Sequence, residues 1–115
     1  MASESLHSPN SRSSSRIPNF FKMSISERIS ELHRRGLLTS DDVHQLVSRD
    51  HQLDAPVADK MIENVLGVFG LPLGVALNFL INNRDYVIPL VVEEPSIVAG
   101  LSGAARIARL GGGFF

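Results

Sequence analysis

Apolar residues recur at helical spacing through the first half of the chain and at alternate positions through much of the second. Ile25, Ile29 and Leu32 fall on one face of a helix. That helix opens at Ser24-Ile25-Ser26-Glu27, the spacing of a capping box, in which a serine and a glutamate three residues on satisfy each other's backbone N–H. Glu27 and Glu31, then Glu31 and Arg35, sit four apart on its wet side, and Gly36 suits a left-handed stop. A second helix repeats the pattern: Thr39 caps, Asp42 lies three residues on, and Leu38 and Val43 hold the staple positions. Its apolar face is Val43, Leu46 and Val47. A third, short helix is expected after Asp54, with Pro56 in its first turn and Val57, Met61 and Val65 on one side.

Between Glu63 and Arg84 lie twenty uncharged residues, enough to cross a bilayer as a helix. The internal order favours a strand instead. Leu71, Leu73, Val75, Leu77, Phe79 and Ile81 alternate with Pro72, Gly74, Ala76, Asn78 and Leu80, which is period two with one large apolar face to pack. Asn82-Asn83 reads as a tight turn, because asparagine tolerates positive φ. Asp85 to Glu93 makes the returning strand of a hairpin, with Pro89 on an edge or at a bulge, since it donates no ladder bond. Pro95 then opens a last helix at its first position, with Ile97, Leu101, Ala104 and Ala108 as its buried stripe, Arg106 and Arg109 near its C-terminus, and Gly111 as its stop. The fold class expected from this order is α+β: short N-terminal helices, a β-hairpin, then a helix.

Composition narrows the choices. The chain has 115 residues, 43% hydrophobic and 20% charged, with a net charge of −1. That is one domain at most, with no basic excess for a nucleic-acid partner. The absence of cysteine excludes disulfides, thiol nucleophiles and cysteine-type zinc sites. His7, His33, His44 and His51 form no i,i+3 or i,i+4 pair, so no metal is expected. Residues 1–16 carry seven serines and almost nothing apolar; they read as a disordered tail without the apolar core of a secretory signal. Gly111-Gly112-Gly113 follows a helix rather than a strand, so it reads as a stop or hinge and not as a phosphate loop. Arg16, Phe20, Phe21 and Lys22 form a small basic–aromatic cluster of packed or solvated character.

Glu93-Glu94-Pro95-Ser96 is the stretch richest in chemistry. Neighbouring strand residues point to opposite faces, so at most one of the two carboxylates serves a given bond. Glu94 shares the parity of apolar Leu90 and Val92 and is held extended by Pro95. A carboxyl on an apolar face is costly unless protonated or paired, which is how a general acid is prepared. The N-terminus of the following helix opposes this by favouring the anion. A plain helix-capping role is the competing reading of the same residues.

Two segments resemble a known family. Met61-Ile62-Glu63-Asn64-Val65-Leu66-Gly67, followed by Leu71-Pro72, is similar to the ENV-x-G dimer motif of 3-hydroxy-3-methylglutaryl-CoA (HMG-CoA) reductases. Pro89-Leu90-Val91-Val92-Glu93-Glu94-Pro95-Ser96-Ile97-Val98-Ala99 resembles the catalytic-glutamate segment of that family's class II. The Asn78-Phe79, Ile81-Asn82 and Arg84-Asp85 pairs and the terminal Gly-Gly-Phe also match, so the likeness runs from about residue 15 to 115.

The resemblance implies an oxidoreductase that reduces HMG-CoA to mevalonate and CoA with NADH or NADPH, or runs the reverse oxidation, as a cytoplasmic homodimer or higher homo-oligomer without metal, membrane or nucleic acid. It implies Glu94 as the catalytic glutamate, Ser96 as a contact of the HMG group, Lys22 near a basic position facing CoA, and Glu63, Asn64, Val65, Leu66 and Gly67 at the dimer interface. Residues 17–115 would then be the N-terminal part of the large substrate-binding domain. The family's lysine, aspartate and histidine and its nucleotide-binding domain lie downstream of this stretch and are absent here. The chain is therefore expected to be a fragment, inactive alone. A non-catalytic dimerisation or interaction module is the rival reading.

Overall fold

A computed structural model of the protein describes residues 14–49 and 52–115. After a 3₁₀ turn at Phe20–Lys22, the chain forms helices α1 (Ile25–Arg34), α2 (Ser40–Ser48) and α3 (Ala55–Ala58), strands β1 (Leu73–Ile81) and β2 (Arg84–Val91), and helix α4 (Ile97–Arg109). The α+β order expected from the sequence is the order observed. No helix among the described residues is long and apolar enough to cross a membrane, and β1 occupies the segment that could have been read as a span.

Both capping boxes form. The Ser24 hydroxyl accepts from the Glu27 N–H while the Ser24 N–H donates to the Glu27 carboxylate; Thr39 and Asp42 repeat the exchange. The backbone N–H of Ser24, then its hydroxyl, holds the Glu27 carboxyl below its ordinary value. α1 ends in a Schellman motif: Gly36 sits at φ +77, its N–H reaches the His33 carbonyl, and the Leu37 N–H reaches the Leu32 carbonyl. α3 stops after four residues, so the expected Val57–Met61–Val65 face does not form, and Met61 is exposed in the coil beyond.

Arg35 departs from its expected wet position. It is 8% exposed, with its guanidinium on the Glu31 carboxylate and on the carbonyls of Ser14 and Arg16. Ser15 departs further. The disordered tail expected over residues 1–16 cannot include it, because Ser15 is fully buried and hydrogen-bonded; the serines before Ser14, with His7 and His51, lie outside the described residues.

The hairpin turns at Asn82 and Asn83, both at positive φ (49° and 66°) as a type I′ turn requires. The strands pair antiparallel, from Ile81 opposite Arg84 to Leu73 opposite Val91. A β-bulge interrupts the ladder, because Leu77 and Asn78 lie between the Ala76–Ile88 and Phe79–Tyr86 pairs. Asn78 takes φ 70 there. The bulge overturns the expected single packed face. Val75, Leu77 and Val87 pack on the cluster of Ile17, Phe20 and Leu32. Paired residues share a face and neighbours alternate, so beyond the bulge Phe79 moves to the Ala76 side, where it stacks on Phe114 with ring centroids 5.5 Å apart. Both faces of the hairpin are thus covered.

Helix α4 lies along β1. Its packed stripe is Val98, Ser102, Ala105 and Arg109, one position on from the expected Ile97, Leu101, Ala104 and Ala108. Val98 lies 3.7 Å from where a Cβ on Gly74 would stand, and Ala105 and Ala76 are both fully buried. The Ser102 hydroxyl accepts the Leu77 N–H freed by the bulge, at 2.9 Å, and the Ser102 carbonyl accepts from the Asn78 side-chain amide. Ile97 and Leu101 remain 39% and 38% exposed. After α4 the left-handed residues are Gly112 and Gly113 rather than Gly111. They return the chain to β1, where the Phe114 N–H donates to the Leu80 carbonyl and the Asn82 N–H to the Phe114 carbonyl, both at 2.7 Å.

Candidate functional site

The catalytic-glutamate segment meets the Leu71-Pro72 end of the other motif at the open end of the hairpin. β2 ends at Val91, and Glu93 to Ser96 form an irregular bridge into α4. The Val92 N–H donates to the Pro72 carbonyl at 3.2 Å, which ties this bridge to the coil arriving from Glu63–Gly67. Glu94 is therefore outside the strand, and the expected transfer onto the apolar face of Leu90 and Val92 does not occur: its side chain is exposed. Pro95 likewise stands outside the helix. Ser96 is the N-cap of α4 instead, at φ 77, with no hydrogen bond from its hydroxyl to the first turn. A left-handed serine costs on the order of 1–3 kcal/mol. The first turn of α4 thus has no side-chain cap from Ser96.

Glu63, Asn64, Leu66 and Gly67 are exposed and Val65 is partly buried. Leu66 is completely exposed and Phe69 is 92% exposed; Asn64 takes φ 58. A coil that presents Met61, Ile62, Leu66 and Phe69 to water marks a surface meant to be covered. Lys22 stands apart from this end, in the 3₁₀ turn, its ammonium 5.7 Å from the Phe21 ring centroid and without a hydrogen bond or ion pair to Glu94 or Ser96. Arg28 holds the same turn by donating to the carbonyls of Phe20 and Phe21.

Among the described residues, surface hollows of about 400 Å³ along α1 (Met23, Ser26, Glu27, Ser30, Glu31, Arg34) and about 300 Å³ beside α3 (Ala55, Pro56, Asp59, Val65, Leu66) do not include Glu94 or Ser96. The described residues hold no group of three metal-ligating side chains. Among the described residues the glycine run does not fit the phosphates of a nicotinamide dinucleotide. The one glycine run follows a helix, and its Gly113 is committed to the β1 edge, where a Cβ would fall 2.3 Å from the Leu80 carbonyl oxygen.

The sequence reading missed a polar node on the far side of the bulge. Arg109 donates to the Asp85 carboxylate (2.9 Å), the Asn78 carbonyl (3.2 Å) and the Ser15 hydroxyl (3.3 Å). Asp85 also accepts from the N–H and the hydroxyl of Ser15. Burial works to raise the Asp85 carboxyl, but donation from Ser15 and Arg109 outweighs it and holds the group below its ordinary value. A charged residue inside an apolar strand, with an arginine at the end of the following helix, is the signal that could have found it.

Comparisons agree with the motif resemblance. A family model described as hydroxymethylglutaryl-coenzyme A reductase matches residues 24–115. The chain is 52% identical over 101 residues to a 3-hydroxy-3-methylglutaryl-coenzyme A reductase of Archaeoglobus fulgidus, a match covering 88% of this chain and 23% of the relative. It is 41% identical over 51 residues to the reductase of Xenopus laevis, covering 44% of this chain and 6% of that protein. The reductase of Streptococcus pneumoniae superposes with a TM-score of 0.75 at 38% identity, over 84% of this chain and 23% of that one. Another structure of the S. pneumoniae protein, described as class II and bound to NADPH in open conformations, has the same TM-score, with 26% of its chain covered. The chain thus spans about a quarter of the length of the A. fulgidus and S. pneumoniae proteins.

Proposed function

The chain belongs to the hydroxymethylglutaryl-coenzyme A reductase family, and from that premise we propose that residues 17–115 form the first part of a class II substrate-binding domain. The observation that supports this is the Val92–Pro72 hydrogen bond, which sets the segment before Glu94 against the Leu71-Pro72 end of the other motif. The reaction is the four-electron reduction of HMG-CoA to mevalonate and CoA by two equivalents of NADH or NADPH, or its reverse. Glu94 passes a proton to or from the substrate carbonyl oxygen, Ser96 holds the HMG group, and Lys22 lies toward CoA. The nicotinamide, which supplies the hydride, binds polypeptide beyond these residues. We place the enzyme in the cytoplasm, with no metal, membrane or nucleic-acid partner.

Exposure of Glu94 supports assembly rather than solitary catalysis. A general acid gains its strength from desolvation and neighbours, so a second subunit or further polypeptide must cover it. Among the described residues six apolar side chains are buried while twenty large ones are exposed, which leaves much surface for such cover. Glu63 to Gly67 would dimerise, and the 115 residues alone would not turn over.

The test is a chimera in which residues 14–115 replace the matching segment of the A. fulgidus enzyme. Mevalonate formation from HMG-CoA is expected, and Glu94→Gln should abolish it while leaving HMG-CoA binding within about twofold. A chimera whose Glu94→Gln variant keeps full turnover refutes the assignment. The exposed Leu66–Phe69 coil also favours a second reading, a dimerisation module without substrate chemistry. Self-association of the chain with no thermal stabilisation by CoA, in a chimera that is inactive, selects that reading.

A further inference from the structure

The described part of the chain divides into a helical pair, α1 with α2, and a hairpin covered by α4. What joins them is small: the apolar contact of Ile17, Phe20 and Leu32 with Val75, Leu77 and Val87, and the four-residue strap Ser14–Ile17. The strap is gripped on both sides. From α1, the Arg35 guanidinium, itself on Glu31, donates to the carbonyls of Ser14 and Arg16, each at 3.3 Å. From the hairpin, Asp85 accepts the Ser15 N–H at 3.0 Å and the Ser15 hydroxyl at 2.6 Å, while the Asn78 N–H donates to the Ser15 carbonyl at 3.0 Å. From α4, Arg109 reaches the same hydroxyl and the same Asp85 oxygen. Ile17 then enters the core at 5% exposure.

This density of directed bonds on four residues is more than is needed to hold the segment, since Ile17 and Phe20 already fix it by burial. Every bond on the hairpin side converges on Ser15, and it satisfies backbone groups that the Asn78 bulge removes from the ladder. We propose that Ser14–Ile17 is a detachable clasp between the helical pair and the hairpin–α4 unit, with Ser15 and Asp85 as its closure. With the clasp shut, the Lys22 turn, five residues beyond Ile17, keeps a fixed place relative to the hairpin. With it open, α1 and α2 pivot on the small apolar contact while the hairpin and α4 stay intact. Among the described residues, Arg109 from α4 and Arg35 from α1 face the strap, paired with Asp85 and Glu31. The clasp does not depend on the catalytic reading of Glu94.

Hydrogen exchange with mass spectrometry on the full 115-residue chain tests this. Ser15→Ala removes the hydroxyl and leaves the Asp85–Arg109 pair in place, so the chain still folds; Asp85→Ala removes both bonds from Ser15 to the carboxylate. Ser15→Ala should raise exchange of residues 14–23 and 25–38 by about tenfold, the loss of one or two buried hydrogen bonds. Exchange of the hairpin and α4 should be unchanged. Asp85→Ala, where it folds, should raise the same segments further. A uniform rise across all segments in Ser15→Ala, or no rise in any, overturns the clasp and leaves the node as ordinary packing.

Discussion

Gly113 approaches β1 so closely that a Cβ on it would stand 2.3 Å from the carbonyl oxygen of Leu80 and 2.9 Å from the Leu80 Cβ. Its φ of +87 is a second bar to any other residue. This contact brings Phe114 onto the strand edge and onto Phe79. Gly113→Ala should therefore destabilise the chain by about 2 kcal/mol or more, from left-handed strain plus loss of the Phe114 contacts. Gly111→Ala, whose Cβ would sit 3.8 Å from the nearest atom, should stay within about 0.5 kcal/mol. Urea unfolding of the two variants measures the difference, and equal midpoints would remove the close approach as a determinant.

Glu31 predicts an acid transition. Hydrogen bonds from Arg34 and then Arg35 hold its carboxyl down to about 2, from an ordinary 4.5. A carboxylate stabilised in the folded state contributes stability that is complete above its unfolded value and is lost as pH falls through the folded one. Melting temperature should thus decline between pH 4.5 and about 2, with Asp85 adding to the loss because its carboxyl is also lowered. Glu31→Gln should flatten that part of the profile and lower stability at pH 7. A variant profile parallel to that of the parent chain would exclude Glu31 as the titrating group.

The hairpin turn offers a cleaner case of backbone preference. Asn82 and Asn83 both hold positive φ. Asn83→Gly should be neutral or stabilising by up to about 1 kcal/mol, because Asn-Gly is the preferred type I′ pair. Replacing both asparagines with alanine should cost about 1–2 kcal/mol per strained residue. Thermal melts of the two variants should move in opposite directions.

Leu66 separates folding from assembly. Its side chain is completely exposed, so Leu66→Lys should change chain stability by less than about 0.5 kcal/mol. If the Glu63–Gly67 segment forms the proposed dimer interface, the same change should shift the mass seen by light scattering to that of a monomer. A Leu66→Lys chain that still dimerises would place the interface elsewhere.

Much of the local structure was legible in the residues. Ser24 with Glu27 and Thr39 with Asp42 begin their helices where the capping spacing put them, and Gly36 and the Asn82-Asn83 turn act as read, because caps and turns depend on side chains within a few residues of one another. The two long motifs marked the family, and the structure sets Pro72, at the end of the first, against Val92 in the second. The environment of Glu94 was not legible. Parity placed it on an apolar face, but the strand ends at Val91 and parity has no meaning beyond that point.

The order of elements, the caps of α1 and α2 and the hairpin turn were thus determined by the sequence alone, since each follows from hydrogen bonds and dihedral preferences over short spans. Tertiary structure decided which faces are covered. The Asn78 bulge sends Phe79 across the sheet, Ser102 and Arg109 rotate the packed stripe of α4 by one residue to serve the groups the bulge frees, and Asp85 draws Ser15 out of a serine-rich run into full burial. These outcomes rest on partners 24 to 70 residues apart. No periodicity within one segment carries that information, because the geometry that selects the partner exists only once the chain has closed on itself.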